Sequence, residues 1–219
     1  MFYFRRNRYI LKSIQTSEPV VYLTFDDGPD ADFTPRVLDM LGRFSAKASF
    51  FVVGTKAILS PQILERMQQE KHAIFSHSVD HRYDNFFSSY ANLRAWVLRS
   101  QNELQQLVQA PKKAFRPPAG ILTPPLIRVA TEEQIPLVLW NHRFYDTVRP
   151  WSPRKAIKSA QNVRPGDIVL LHDRQKAEWA DTFLRALDLY LSTLSQKGFR
   201  FEALSEDLLL AQTKLTPKT

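Results

Sequence analysis

Apolar runs of strand length recur along the chain, separated by longer segments in which apolar and polar positions alternate. The runs are VVYLTF (Val20 to Phe25), ASFFVV (Ala48 to Val53), AIFS (Ala73 to Ser76), KAFR (Lys113 to Arg116), PLVLW (Pro136 to Trp140), DIVLL (Asp167 to Leu171) and FRFEAL (Phe199 to Leu204). Between them the spacing predicts helices, most clearly over Ser89 to Gln109, where Leu93, Trp96, Val97, Leu104, Leu107 and Val108 recur on one face. Thr34 before Pro35, Ser60 before Pro61 and Ser152 before Pro153 mark helix starts, each a capping residue followed by proline in the first turn. Gly198, after the segment Trp179 to Lys197, marks a stop. Strands alternating with helices imply a mostly parallel sheet covered by helices. About seven such repeats approach an incomplete eight-fold barrel. The proline-rich RPPAGILTPP is too short to separate domains and reads as a rigid loop.

Composition narrows this picture. A chain of 219 residues that is 44% hydrophobic suits one domain with one sizeable core. It contains no cysteine, so disulfides and thiolate metal sites are excluded, and any metal must be held by His, Asp or Glu. The formal charge of +8 acts first on solubility and non-specific attraction, and the basic residues are scattered apart from RRNR at Arg5 to Arg8. No nucleic-acid partner is expected. In MFYFRRNRYILKSI the basic residues follow the aromatics, the reverse of a secretory signal. No later segment approaches the ~18 uncharged apolar residues of a membrane span. The expectation is a monomer in the cytoplasm or at a membrane periphery. The MFYFRR arm either touches a membrane surface or packs on the domain.

The unusual polar residues fall in one register of this map. Asp26 and Asp27 follow the first predicted strand, His77 and His81 the third, Arg116 with Pro117 and Pro118 the fourth, Asp146 the fifth, and His172 with Asp173 the sixth. Strand carboxyl ends are where barrels and open parallel sheets build their sites. Two adjacent carboxylates can coexist there if one binds a cation and the other does acid–base work. His77 and His81 at i, i+4 share a face if their segment is helical, and two imidazoles with one carboxylate form a zinc set with an open position. Singly, each feature has a plainer reading. Asp-Asp-Gly-Pro is turn-rich, Arg116 suits a surface, and His172 with Asp173 could cap the next segment. Their gathering at one end of the sheet is what points to chemistry.

In order, TFDDGP (Thr24 to Pro29), HSVDH (His77 to His81), RPPAG (Arg116 to Gly120), Asp146 and LLH (Leu170 to His172) resemble the polysaccharide deacetylase family with NodB homology, carbohydrate esterase family four. The resemblance runs from about Val20 to Leu204. It implies an α/β fold, a distorted (β/α) barrel of about seven parallel strands. The expected organisation is an arm over 1–19, a catalytic domain over 20–211 and a tail over 212–219. The implied reaction is metal-dependent removal of N-acetyl groups from N-acetylglucosamine-containing glycans of chitooligosaccharide or peptidoglycan type. By resemblance Asp27, His77 and His81 bind the metal, zinc first, with Co2+, Ni2+ or Mn2+ as alternatives. Asp26 is the general base and Arg116 holds it charged, while His172 is the general acid and Asp146 tunes it. Ala119 offers a backbone donor to the oxyanion. Pro118, Ala119, Leu170 and Trp140 are the expected substrate-binding residues, core packing being the alternative for Trp140.

The family pattern is not kept everywhere. Ala119 stands where a tyrosine is common, Lys71 where a glycine often precedes the metal histidines, and RFYDT has Arg143 and Thr147 in place of an aspartate and a tryptophan. A sugar-stacking surface is then missing, or supplied by Trp140, Phe144, Tyr145 or Trp151. The competing functions are an O-acetyl esterase on xylan-like sugars, a deacylase of a lipid-linked sugar, and a non-catalytic glycan-binding relative.

Overall fold

The structure is a computed structural model that describes residues 7–109 and 112–215. The first six residues, with most of the arm considered for membrane contact, lie outside the described residues. The strands are β1 (Ile10–Leu11), β2 (Val20–Asp26), β3 (Ala48–Val52), β4 (Ala73–Ser76), β5 (Leu137–Val138), β6 (His142–Arg143), β7 (Ile168–His172) and β8 (Arg200–Phe201). The helices are α1 (Thr34–Arg43), α2 (Gly54–Ala57), α3 (Pro61–Gln69), α4 (Tyr90–Leu107), α5 (Pro124–Glu132), α6 (Pro153–Ala160), α7 (Ala177–Gln196) and α8 (Glu206–Lys214).

Every residue of β2 is buried, because helices cover one of its faces and the barrel interior the other. Val21, Leu23 and Phe25 join the core beneath α1 and α7, where Phe25 stacks on Phe50 with ring centroids 5.2 Å apart. Val20 and Tyr22 point the other way, toward an interior cluster with Phe51, Phe75, Ile168 and, from α8, Leu209. The period of two along the strand thus divides one apolar run between two cores.

The order β4-β3-β2-β7-β6 is hydrogen-bonded throughout, with β8 also on β2 and β1 on β5, and every ladder between named strands is parallel. This is the expected α/β architecture of parallel strands. Among the described residues the ladder does not close continuously: Phe115 bridges Ser76 to Leu137, and Ser13 bridges to Asp167. The KAFR run is therefore no strand but a single bridging residue, cut short because Pro117 has no N–H to offer. β1 and β6 had no counterpart among the predicted runs. Tyr9, Leu11 and Ile14, ahead of the first long strand, are buried.

The helix signals divide. Gly198 ends α7 as expected, at φ 81° with Phe199 N–H donating to Leu194 O at 3.0 Å. Ser60 and Ser152 flank α3 and α6 but make no side-chain cap. Side-chain caps come from Ser89, Thr123 and Ser205. Thr34 lies inside α1 rather than capping it, because its hydroxyl is engaged by Asp173.

Candidate active site

The register of the parallel ladders brings the polar residues together. Asp26, the last residue of β2, pairs with His172, the last of β7, and Val52 of β3 pairs with Ser76, one residue before His77. Arg116 enters from the proline-rich loop and is fully buried. It donates to Asp26 Oδ1 at 2.6 Å, Thr24 Oγ1 at 2.7 Å, Val138 O at 2.9 Å and Leu139 O at 3.1 Å, and lies 3.9 Å from the centre of the Phe51 ring. Burial lowers the pKa of the guanidinium and the Asp26 carboxylate opposes that shift. One oxygen of Asp26 is thereby occupied. The other, Oδ2, lies 3.8 Å from His77 Nε2.

Asp27 takes a left-handed backbone, φ 71°, which turns its side chain away from its neighbour's partner. Its Oδ1 lies 3.5 Å from His77 Nε2 and 3.1 Å from His81 Nε2. His77 Nδ1 meets Arg116 O at 2.7 Å; a carbonyl only accepts, so Nδ1 carries the proton and Nε2 offers its lone pair. The three ligand-type atoms of Asp27, His77 and His81 lie within 4.8 Å of one another and could hold a metal ion. Burial alone would raise the Asp27 pKa, but the two imidazoles hold it well below the usual carboxylate range. Two nitrogens and one carboxylate oxygen, one nitrogen with its proton directed away, fit a cation of zinc's borderline character. The histidines reach this arrangement without a helix. Their segment is a loop with Ser78 at φ 86° and His81 at φ 59°, pinned by Ser78 Oγ accepting from His81 N–H at 2.9 Å.

His172 is held from behind. Asp146, buried in the loop after β6, receives His172 Nδ1 at 2.9 Å through Oδ1 and the His172 backbone N–H at 2.9 Å through Oδ2. Burial pulls the imidazolium pKa down, but the Asp146 hydrogen bond and the charges of Asp146, Asp26 and Asp27 outweigh it and carry it up to about 9. Asp173 does not cap α7, which starts only at Ala177. It turns inward, accepts from Thr34 Oγ1 at 2.7 Å, and burial pushes its carboxyl up to about 7. A Cβ on Gly28 would lie 2.1 Å from Asp173 Oδ2, which is why the loop after the two aspartates needs a glycine.

Asp26, Asp27, His77, His81, Ala119, Trp140, Leu170 and His172 all line one cavity of about 270 Å3. Ala119 is left-handed at φ 54°, and Gly120 beside it leaves room for the Trp140 ring, 2.7 Å from where a Cβ would stand. Pro118 is buried and forms no part of the lining. Phe144 and Trp151 stack at 4.4 Å within the core beneath α7, whereas Tyr145 lines the cavity. Three further residues were not singled out beforehand. Tyr83 lines the cavity edge-on to His81, Lys56 Nζ donates to Asp27 O at 2.5 Å, and Gln175 Nε2 donates to Asp146 Oδ2 at 3.1 Å. Each comes from a loop or short helix whose sequence carries no pattern beyond its residue types.

Parallel strands clothed in helices, with this cluster at their carboxyl ends, have the form of an α/β hydrolytic enzyme. The chain belongs to the polysaccharide deacetylase family, whose sequence pattern matches residues 13–138. It is 32% identical over 203 residues to a peptidoglycan-N-acetylglucosamine deacetylase of Bacillus cereus, covering 90% of this chain and 92% of that protein. It is 30% identical over 201 residues to a chitooligosaccharide deacetylase of Sinorhizobium fredii, covering 88% and 93%. The crystal structure of the Bc1960 peptidoglycan N-acetylglucosamine deacetylase superposes with a TM-score of 0.80 at 30% identity, over 90% of this chain and 91% of that one. The protein is a carbohydrate deacetylase. Among the described residues no helix is long and apolar enough to cross a membrane.

Proposed function

We propose that the protein is a metal-dependent N-deacetylase that hydrolyses acetamido groups of N-acetylglucosamine-containing oligo- or polysaccharides and releases acetate. The observation that best supports this is the convergence of Asp27, His77 and His81 in one cavity with Asp26 and His172, each of the last two held by its own buried partner. Relatives named peptidoglycan-N-acetylglucosamine and chitooligosaccharide deacetylase support the substrate class.

In this reading Asp27, His77 and His81 hold a divalent cation, with zinc the best match to the ligand set. When bound, such a cation polarises the acetyl carbonyl and lowers the pKa of its water to ~7. Asp26 accepts the proton of the attacking water through Oδ2, and Arg116, bonded to Oδ1, orients it. The Ala119 N–H donates to the developing oxyanion. His172, protonated and with Nδ1 committed to Asp146, delivers a proton from Nε2 to the departing sugar nitrogen, since an amide anion is a poor leaving group. Leu170 and Trp140 form the apolar wall for the acetyl methyl.

The test is acetate release from chitooligosaccharides by chelator-stripped and zinc-reloaded protein, with His77→Ala as control. Release that zinc restores and His77→Ala abolishes is expected. Zinc-loaded protein that releases none contradicts the reading.

A further inference from the structure

A second cavity, of about 310 Å3, adjoins the first and is lined by Asp27, Thr147, Arg174, Gln175 and Lys176. Asp27 and Thr147 line both cavities, so the two compartments meet at these two short side chains. Arg174 and Lys176 are exposed, and neither joins an ion pair among the described residues. Lys176 is held over the Trp179 ring, 4.3 Å from its centre. Tyr145, which lines the first compartment, is flanked by Arg143 and Arg149 at 3.9 Å and 5.4 Å from its ring centre, and Arg143 donates to its hydroxyl. They too have no carboxylate partner among the described residues. Asp27, the carboxylate that lines the second cavity, is committed to the histidine cluster, and Asp146 to His172 and Gln175.

The exposed Arg174 guanidinium and the Lys176 ammonium, the latter held over a ring rather than paired with acid, keep their donors free for a planar or tetrahedral anion. A neutral sugar chain gives these cations nothing to neutralise. The geometry points to an anion subsite in the compartment of Arg174 and Lys176, which receives a carboxylate or phosphate carried by the substrate beside the reacting acetamido sugar. This rests on the deacetylase reading of the first compartment. The two sources of charge are an acidic sugar in the glycan and a phosphate at its reducing end.

Binding to the cation-free protein, measured by calorimetry at low salt, tests it in two matched pairs. One pair is a tetrasaccharide of alternating N-acetylglucosamine and N-acetylmuramic acid and the same chain with its carboxylates reduced to alcohols. The other is N-acetylglucosamine 1-phosphate and N-acetylglucosamine. In at least one pair the anionic member is expected to bind about tenfold more tightly, the size of one charge-assisted hydrogen bond. That ratio is expected to fall toward one in the Arg174→Gln, Lys176→Gln double variant, whose exposed positions leave the core untouched. The pair that shows the preference identifies the source of the charge. Equal affinities within both pairs, or a preference that survives in the double variant, overturn the subsite. Because the readout is binding, a preference found without acetate release supports the subsite and overturns only the reaction.

Discussion

Arg116 has no exposed surface, and its charge is held by Asp26, Thr24 and the Val138 and Leu139 carbonyls, which offset only part of the cost of burying it. Removing one partner of such a pair leaves the other charged and buried. Arg116→Met is expected to destabilise the fold by about 3–5 kcal/mol, part of which Asp26→Asn in the same chain restores. Urea unfolding of the two variants measures this, and a double variant less stable than Arg116→Met would contradict it. His172 allows a pH test. Its folded pKa of about 9 lies above the ordinary 6.5, so the imidazolium stabilises the native state fully below pH 6.5, and that contribution drains away as pH rises to 9. His172→Gln in cation-free protein should therefore cost about 3 kcal/mol near pH 6 and little near pH 9.5; a pH-independent cost would be inconsistent with the pair. At this scale the polar residues of the site were legible by type and by their position at strand ends. Their division of labour came only from the family resemblance, because the left-handed turn at Asp27 and the carbonyl of Arg116 behind His77 are properties of the folded backbone.

The elements show how residues expected on one helical face can come together by another route. His77 and His81 suggest a helical face, yet they meet across a loop with ring centroids 5.1 Å apart, because two left-handed residues fold that loop back on itself. Lys71 illustrates the converse. It stands where a glycine is common in the family pattern, and its φ of 63° is the conformation that glycine adopts without strain. Lys71→Gly is expected to stabilise the protein by up to about 1 kcal/mol, the order of the penalty an L-residue meets there. A higher midpoint in urea with an unchanged slope would show it; a lower midpoint would count against strain at this turn. VVYLTF, ASFFVV, AIFS and DIVLL became strands almost as bounded in the sequence, whereas FRFEAL kept only Arg200–Phe201. KAFR and PLVLW were cut short, and prolines at 117 and 136 remove donors that a longer ladder needs. β1 was missed because two strand residues beside a basic stretch carry no periodicity to detect.

For the whole molecule, the alternation of apolar runs with amphipathic segments was enough to specify parallel strands under helices, because a βα repeat has few other ways to bury both faces of its sheet. How the ring is completed was not legible, since it depends on single bridges at Ser13 and Phe115. One end of this architecture gathers two adjacent carboxylates and gives them different neighbours: Asp26 the guanidinium, Asp27 the two imidazoles. Different neighbours imply different work. The direct test is zinc content and acetate release measured on the same preparations of Asp26→Asn and Asp27→Asn. Asp26→Asn is expected to retain zinc as the unmodified protein does while losing turnover, and Asp27→Asn to lose both. If Asp26→Asn turned over normally, or if Asp27→Asn kept its zinc, the assignment of base and ligand to these neighbouring residues would be wrong.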